Sequence, residues 1–246
     1  MLKQLIVRSA PAFSLRWLNK AGLYKKYKPA VGSVSMNDMD RVTPFCNEFG
    51  YKRGGPIDRY YIENFLTAQK QFIKGRVLEI GDNEYTLKFG SEVIQSDVLH
   101  VNASNPVATI IGDLTSAPQI PDNTFDCIIL TQTLHLIYDY KAALQTIKRI
   151  LKPRGILLMT SPGITPIDQS DWNETWYWSF TDKSIKKLLS ESFTVDKIQV
   201  ETFGNVYVAT TFLFGMGLPE VSKEKLNHND PQYQVIITAI AKKEDI

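Results

Sequence analysis

The fold is decided by one stretch, Arg76-Val77-Leu78-Glu79-Ile80-Gly81-Asp82-Asn83-Glu84. Its apolar strand formers lie between two glycines, Gly75 and Gly81, so it predicts a short buried strand that ends in a turn. A glycine directly after a strand lets the backbone turn sharply and lets a ligand approach closely. In doubly wound α/β proteins, ligands bind outside the carboxyl ends of the strands. We therefore expect a binding cleft beside Gly81.

The residues of this turn indicate what the cleft can bind. A pyrophosphate-binding turn needs further glycines, but Asn83 and Thr86 stand where they would be. Asp82 and Glu84 would also repel a phosphate. They suit a ligand that carries a cation, such as an amino group or a sulfonium. An ordinary turn with a solvated Asp82 is the alternative that this stretch leaves open.

Further motifs follow in a fixed order along the chain. They are Gly112-Asp113-Leu114, residues 120–130, Leu134-His135, Asp139 and residues 151–155. In this order and spacing, residues 57–200 resemble the class I S-adenosylmethionine-dependent methyltransferases. The resemblance implies S-adenosylmethionine as cofactor and a transferase activity of class EC 2.1.1. It also implies a Rossmann-like α/β fold with a seven-stranded, mostly parallel sheet, one antiparallel strand and helices on both faces.

Apolar runs and turn residues predict the individual elements. Asp58 and Thr181 are placed to cap helices, and a third helix is predicted from Tyr140 to Leu151. Residues 206–214 resemble a helix, and residues 218–230 are polar and predict a loop. The seven predicted strands, of which the last is antiparallel, cover residues 76–80, 98–101, 107–111, 126–130, 156–159, 193–201 and 233–241.

The resemblance also implies a set of cofactor-binding residues. These are Glu79, Gly81, Asp82, Asn102, Asp113, Leu114, Thr131 and Gln132. Asn102 departs from the family pattern, in which an acidic residue at the end of the second strand bonds the ribose hydroxyls. An amide can still donate and accept hydrogen bonds, but it lacks the charge that strengthens them. Asp97 is a weaker candidate because it precedes the predicted strand.

Methyl transfer depends mainly on positioning, and a hydroxyl acceptor also needs a base to remove its proton. His135 is the candidate base because imidazole titrates near neutral pH; packing against a helix is its structural alternative. Asp168 and Asp171 are further candidate bases. Candidate acceptor or lid residues are Arg59, Tyr60, Tyr61, Trp176, Tyr177 and Trp178, although these aromatic side chains could instead fill the core.

The aromatic tract in residues 161–182 suits sugar rings and flat acceptors. It resembles methyltransferases associated with glycan biosynthesis, with Phe180-Thr181 in the place of their tyrosine-threonine pair. We therefore predict O-methylation of a small-molecule or glycan-linked acceptor. The alternative is a methyltransferase-like binding or scaffold protein that has lost catalysis, because the glycine turn is reduced and Asn102 replaces an acid.

Composition and the N-terminus set the remaining expectations. The 246 residues carry a net charge of only +2, and three scattered histidines show no metal-ligand spacing, so neither nucleic acid nor a metal is expected. The chain shows no membrane-spanning run or secretory signal, which predicts a cytoplasmic protein. Residues 1–56 are predicted as a basic helical extension and linker before the domain of residues 57–246. Residues 1–28 could pack on the domain or contact the inner face of an anionic membrane; the oligomeric state stays open.

Overall fold

The computed structural model describes residues 11–24, 26–170 and 172–245. The chain divides into two compact units between Thr43 and Pro44. In the first unit, helix α1 spans Ala12–Lys20 and starts directly after Pro11, and a short 3₁₀ turn spans Asn37–Met39. The predictions for residues 1–10 lie outside the described residues. None of the helices in the described ranges is long and apolar enough to cross a membrane.

The second unit is built on one seven-stranded sheet. Its order is β3-β2-β1-β4-β5-β7-β6, and β7 lies antiparallel between β5 and β6 while the other neighbours are parallel. The predicted α/β fold class is therefore confirmed. The strands are β1 Gly75–Ile80, β2 Val93–His100, β3 Ile110–Ile111, β4 Phe125–Thr131, β5 Leu151–Pro162, β6 Ile198–Phe203 and β7 Ile236–Lys242.

Helices cover both faces of this sheet. Strand side chains alternate between two apolar clusters, so Val77 packs into one cluster and Leu78 into the other. The cluster of Val77 includes α2, α6 and α7, and the cluster of Leu78 includes α4 and α5. The helices are α2 Asp58–Ala68, α3 Glu84–Phe89, α4 Tyr140–Ile150, α5 Asp182–Ser190, α6 Val206–Leu213 and α7 Lys223–Asn227.

The strand order reverses direction between β1 and β4. From β1 the chain continues to β2 on one side, whereas β4 lies on the other side and pairs with β1 through Glu79 and Ile129. The connections that follow β1 and β4 therefore diverge from two adjacent strand ends. Such a switch point leaves a crevice at the carboxyl edge of a parallel sheet. The turn at Gly81 begins at this crevice.

Several strand predictions need correction. β5 begins at Leu151 rather than at residue 156, β6 at Ile198 rather than at residue 193, and β7 at Ile236 rather than at residue 233. β2 starts at Val93 rather than at residue 98, so Asp97 lies inside the strand and not before it. Its carboxylate is buried and accepts hydrogen bonds from Arg76 Nε at 2.7 Å, Gln95 Nε2 at 3.2 Å and Thr109 Oγ1 at 3.0 Å. A buried acid with these partners belongs to the sheet, which explains why a polar residue could interrupt the predicted apolar run. β3 is shorter than predicted because the chain is still turning after Asn105-Pro106.

The loop predicted for residues 218–230 is also wrong. It contains a 3₁₀ turn at Leu218–Glu220 and the short helix α7. Leu226 is the one buried residue of α7, so the helix carries no apolar periodicity that the sequence could reveal. The predicted cap at Thr181 is confirmed, because its hydroxyl accepts the Ser184 N–H at 3.3 Å. The predicted cap at Asp58 is wrong, because its side chain makes no capping hydrogen bond.

We predict that Asp97→Ala destabilises the protein by about 2 kcal/mol, because three donors, one of them charged, would lose their shared acceptor. Equilibrium urea unfolding measures this free energy. Asp245→Ala is the matched control. Its carboxylate also pairs with an arginine, Arg154, but the side chain is 65% exposed, so its loss should cost less than about 0.5 kcal/mol. Equal losses from the two variants would contradict the structural role of Asp97.

Candidate active site

A cleft of about 980 Å³ opens at the carboxyl ends of β1, β2 and β4. The predicted residues on its wall are Arg59, Glu79, Gly81, Asp82, Asp113, Leu114, Thr131, Gln132, His135, Trp176 and Tyr177. The sheet therefore brings together side chains that are up to 118 positions apart in the sequence, counted from Arg59 to Tyr177. A volume of this size suits a cofactor together with part of an acceptor.

Glu79 shapes the first wall of the cleft. Its carboxylate is 2% exposed and accepts the backbone N–H groups of Tyr85 at 3.2 Å and Thr86 at 2.8 Å. The Thr86 hydroxyl donates to it at 2.8 Å as well. Burial raises the pKa of the Glu79 carboxyl to about 7, although these hydrogen bonds oppose the rise. Glu79 therefore ties the end of β1 to the first turn of α3 and holds the connecting loop in place.

Gly81 begins that loop in a left-handed conformation, with φ of +89°. A Cβ atom added there would meet no protein atom within 4 Å, so the backbone borders open space. Its N–H donates to the Leu99 carbonyl at 3.0 Å, and its carbonyl accepts from the Asn105 side chain. Leu99 belongs to β2, and Asn105 follows this strand. The glycine is thus held from the second strand while its α-carbon faces the cleft.

The second wall comes from the loops after β3 and β4. Asp113 is exposed at the cleft, and its Oδ1 accepts the Thr115 N–H at 2.8 Å. Leu114 is buried beside it. Gln132 has a left-handed φ of +47°, and its N–H donates to the Thr160 carbonyl at 3.0 Å. These loops place a carboxylate, an apolar side chain and a strained turn on one side of the cleft.

His135 lies deeper, in the 3₁₀ turn Leu134–Leu136. Its side chain is 2% exposed, its Nδ1 has no hydrogen-bond partner, and its ring packs edge-on against Trp176 at 4.4 Å between centroids. Burial lowers the pKa of His135 to about 4, so the imidazole is neutral at pH 7. The His135 carbonyl accepts the N–H groups of Tyr177 at 3.1 Å and Trp178 at 3.2 Å. The histidine and the aromatic tract are thereby locked together.

Asp58 and Arg59 reach the cleft from the start of α2. The Asp58 Oδ1 atom is inaccessible to solvent and has no hydrogen-bond partner. Burial raises the pKa of this carboxyl to about 6, although the charge of Arg59 opposes the rise. The Arg59 guanidinium donates to the hydroxyls of Tyr85 and Tyr51, and it lies 3.8 Å from a Glu84 oxygen. An acid and a base on consecutive residues therefore face the same cavity.

Aromatic side chains from several segments of the chain form another part of the wall. Phe49 stacks on Trp176 at 6.2 Å with an interplanar angle of 7°. Tyr138 meets Tyr177 edge-on at 5.4 Å, and both side chains are exposed, as is Trp172. The Trp176 Nε1 atom is buried without a partner. This aromatic surface could hold a flat or ring-shaped acceptor, with a free indole N–H as a donor.

Four predicted residues lie away from this wall. Asn102 is exposed and its side chain accepts from Ser104, so it does not reach the cleft. Tyr60 and Tyr61 line a separate pocket of about 160 Å³, where their hydroxyls bond Asn227 and the Leu226 carbonyl. Trp178 packs into the core and donates to the Ile137 carbonyl at 3.0 Å.

The alternative bases also fall elsewhere. Asp168 accepts hydrogen bonds from Ser170 and from the Trp172 N–H within its own loop, and it is not part of the cleft lining. These hydrogen bonds hold the pKa of Asp168 below its usual value despite partial burial. Asp171 lies outside the described residues. His135 is consequently the predicted base that lies on the cleft wall.

Sequence reasoning missed several residues of the site, among them Asp58, His100 and Asn105. Asp58 was expected to cap α2, but it makes no capping hydrogen bond and lines the cleft. Asn105 lies in an irregular segment after β2 and bonds the Gly81 carbonyl. The Asn105-Pro106 pair is a turn signal, and a turn at the end of a strand is a position from which a side chain can reach back to the cleft.

The cleft carries an excess of negative groups. Its lining includes the acids Asp58, Glu79, Asp82, Asp113 and Asp139, whereas Arg59 is the one lysine or arginine among the described lining residues. This balance favours a cationic ligand over a phosphorylated one. In the described part of the chain, no group of three or more histidine, cysteine or acidic residues is placed to hold a metal ion.

Comparison with known proteins agrees with this geometry. Residues 65–159 match the family model described as a methyltransferase domain, a segment that contains Glu79, Gly81, Asp113, Thr131 and His135. A ubiquinone/menaquinone biosynthesis C-methyltransferase, UbiE, from Enterobacter sp. (strain 638) is 32% identical over 99 residues. This alignment covers 39% of the present chain and 38% of the relative, so the chain spans about two fifths of the curated relative it matches.

Two solved structures share the fold. The [4+2]-cyclase SpnF superposes with a TM-score of 0.51 and 18% identity, covering 76% of this chain and 82% of that one. A SAM-dependent methyltransferase from Archaeoglobus fulgidus superposes with a TM-score of 0.50 and 15% identity. This superposition covers 75% of this chain and 94% of the other. At these identities the superpositions show a shared fold alone, and function must be inferred from the residues of the site.

We predict that His135 titrates near pH 4 in the folded protein. Its pKa is depressed from an ordinary value of 6.5, so the unfolded chain takes up this proton first as the pH falls. The contribution of His135 to stability is complete above pH 6.5 and decreases toward pH 4. NMR titration of the ring protons measures the midpoint directly. A midpoint at or above 6.5 in the folded protein would contradict the buried, neutral imidazole.

Proposed function

We propose that this protein is an S-adenosylmethionine-dependent methyltransferase. The observation that carries the proposal is the cleft at the β1–β4 switch point, where an open glycine turn is surrounded by carboxylates. When bound, S-adenosylmethionine supplies a methyl group on a positively charged sulfur, which makes that methyl electrophilic. The acidic lining attracts such a cation, and the methyltransferase-domain match over residues 65–159 supports the choice of cofactor.

The residues present fit this cofactor. Gly81 leaves room for close approach, because a side chain there would project into the cleft rather than into protein. Glu79 and Asp82 provide negative charge beside the turn. Asp113 and Leu114 offer a polar and an apolar contact for the adenine ring of the cofactor. His100 and Asn105 line the cleft near the end of β2 and would contact the ribose in place of Asn102.

Asp58 and Arg59 would hold the amino acid end of the cofactor. This end carries an ammonium and a carboxylate, and the two side chains present the opposite charges in the cleft. The buried Asp58 Oδ1 atom has no partner in the protein, so an ammonium would supply the missing donor. Tyr51 and Tyr85 hold the Arg59 guanidinium in place for the carboxylate.

His135, Trp176 and Tyr177 define the acceptor side. Trp176 packs against His135 on the cleft wall, while the exposed side chains of Trp172, Tyr138 and Tyr177 suit a sugar or another planar group. The neutral His135 imidazole has one ring nitrogen that can accept a proton, and the residue lies on the cleft wall. These features support transfer to the hydroxyl of a small-molecule or glycan-linked acceptor. Product analysis would distinguish oxygen from carbon, the atom named for the UbiE relative.

One observation favours a second candidate, a binding protein of the same fold without catalysis. The carboxylate expected after β2 is replaced by Asn102, whose side chain bonds Ser104 outside the cleft. Such a protein would bind the cofactor and transfer no methyl group. Transfer of a radiolabelled methyl group to a defined product from an acceptor extract would exclude it.

We predict that Gly81→Arg abolishes binding of S-adenosylhomocysteine, the demethylated cofactor, because the new side chain fills the cleft. Titration calorimetry should show binding to the wild-type protein and a loss of at least about 100-fold in the variant. Gly32→Arg is the matched control, because Gly32 also has a positive φ, +80°, and open space around an added Cβ, but lies outside the cleft lining. No binding to the wild-type protein at millimolar ligand would refute the proposed cofactor.

We predict that Asp58→Asn weakens S-adenosylhomocysteine binding by about tenfold, because a charge-assisted hydrogen bond to the ammonium is lost. Binding of 5′-methylthioadenosine, which lacks the amino acid end, should not change. Glu63→Gln is the control, since it removes an acid from the same helix outside the cleft lining. Equal weakening of both ligands would show that Asp58 acts only through the fold, and binding of neither ligand to the wild-type protein would instead count against the cofactor.

A further inference from the structure

Helix α1 exposes two large aromatic side chains to solvent. This is unusual for the surface of a helix that contacts only water. Phe13 is 76% exposed and Trp17 is 66% exposed, whereas Leu15 and Leu18 on the opposite side are partly buried. Phe13 and Trp17 are four residues apart, so they lie next to each other on one face of the helix. Two large aromatic side chains side by side in solvent indicate a surface that another phase or molecule covers.

The same face carries positive charge. Arg16 and Lys20 are exposed and lie three and seven positions after Phe13, so they flank the two aromatic rings. The turn that follows α1 continues this composition, with Leu23 73% exposed and Lys26 and Lys28 exposed after it. In the sequence, no aspartate or glutamate precedes Asp38. The charge of the segment is therefore of one sign, next to apolar rings.

We propose that the α1 face formed by Phe13, Arg16, Trp17 and Lys20 docks on an anionic lipid bilayer. Aromatic side chains favour the boundary between headgroups and acyl chains, where rings are buried without full dehydration of the surface. Lysine and arginine side chains beside them meet the negative surface potential of anionic headgroups. Because the helix has only 9 residues, it would lie in the interface and not cross it. This proposal concerns α1 alone and does not rest on methyl transfer.

The test is sedimentation of the full-length protein with large vesicles. One set is pure phosphatidylcholine and the other contains about 30% phosphatidylglycerol, in 0.1 M salt. We expect the wild-type protein to bind the anionic vesicles, to bind phosphatidylcholine weakly, and to be released by 0.5 M salt. The paired substitution Phe13→Ser with Trp17→Ser should reduce partitioning by about tenfold or more, as should Arg16→Gln with Lys20→Gln.

Matched variants on other helices serve as controls. Val206→Ser with Leu213→Ser removes two exposed apolar side chains from α6, and Lys186→Gln with Lys187→Gln removes two exposed charges from α5. Neither pair should change partitioning. All of these positions are exposed, and circular dichroism would verify that each variant is folded.

Three results would overturn the proposal. They are absence of wild-type binding to anionic vesicles, equal binding by the wild-type protein and the Phe13→Ser/Trp17→Ser variant, or equal losses in the control variants. Light scattering adds a further distinction. The protein could fail to bind vesicles but form dimers, and the Phe13→Ser/Trp17→Ser variant could abolish these dimers. This result would overturn the lipid proposal and assign the face to a second copy of the chain.

Discussion

The site depends on one buried carboxylate. Glu79 lies one residue before the end of β1, and its buried carboxylate accepts the N–H groups of Tyr85 and Thr86 from the first turn of α3. These hydrogen bonds fix the end of β1 against the start of α3. The turn at Gly81 that connects them therefore lies on the wall of the cleft. The rise of the Glu79 pKa to about 7 reflects how strongly burial opposes ionisation here. Near neutral pH the carboxyl is therefore poised between its two forms, and a cation in the cleft would favour the ionised one.

Unsatisfied polar atoms give a second reason to regard the cleft as a binding site. Folded proteins pair nearly all of their buried polar groups, because an unpaired group costs about 1–3 kcal/mol. Asp58 Oδ1, His135 Nδ1 and Trp176 Nε1 are buried without partners, and all three side chains line the same cleft. The protein thus holds an acceptor on one wall and an imidazole and an indole on the other. A ligand with complementary groups would offset these costs on binding, which is a source of specificity rather than of stability.

The fold was largely predictable because the signals were local and strong. The apolar run before Gly81 and the order of the later motifs predicted the parallel sheet, and the antiparallel last strand is confirmed. The helix spacing from Tyr140 onward was equally clear. Errors arose where tertiary contacts override the local pattern. Asp97 is tolerated inside β2 because Arg76 on the neighbouring strand donates to its carboxylate. α7 is held by the burial of Leu226 and by hydrogen bonds from Tyr60 and Tyr61, which are distant in the sequence.

The site was less predictable than the fold, for a related reason. Residues at strand ends, such as Gly81, Thr131 and His135, reach the cleft because the sheet places them there. Side chains on helices and long loops depend on rotation about an axis that the sequence does not specify. Tyr60 and Tyr61 therefore face a different pocket from Arg59, although all three are consecutive in the chain. In the segment after β2, Asn105 likewise lines the cleft, whereas Asn102 does not.

A crystal structure of the protein with S-adenosylhomocysteine would show whether the cleft binds the cofactor. We expect the ligand to lie at the carboxyl ends of β1 and β4, against the Gly81 backbone, with its amino group near Asp58. A ligand bound elsewhere, or a strand-end cleft closed by packed side chains, would contradict it.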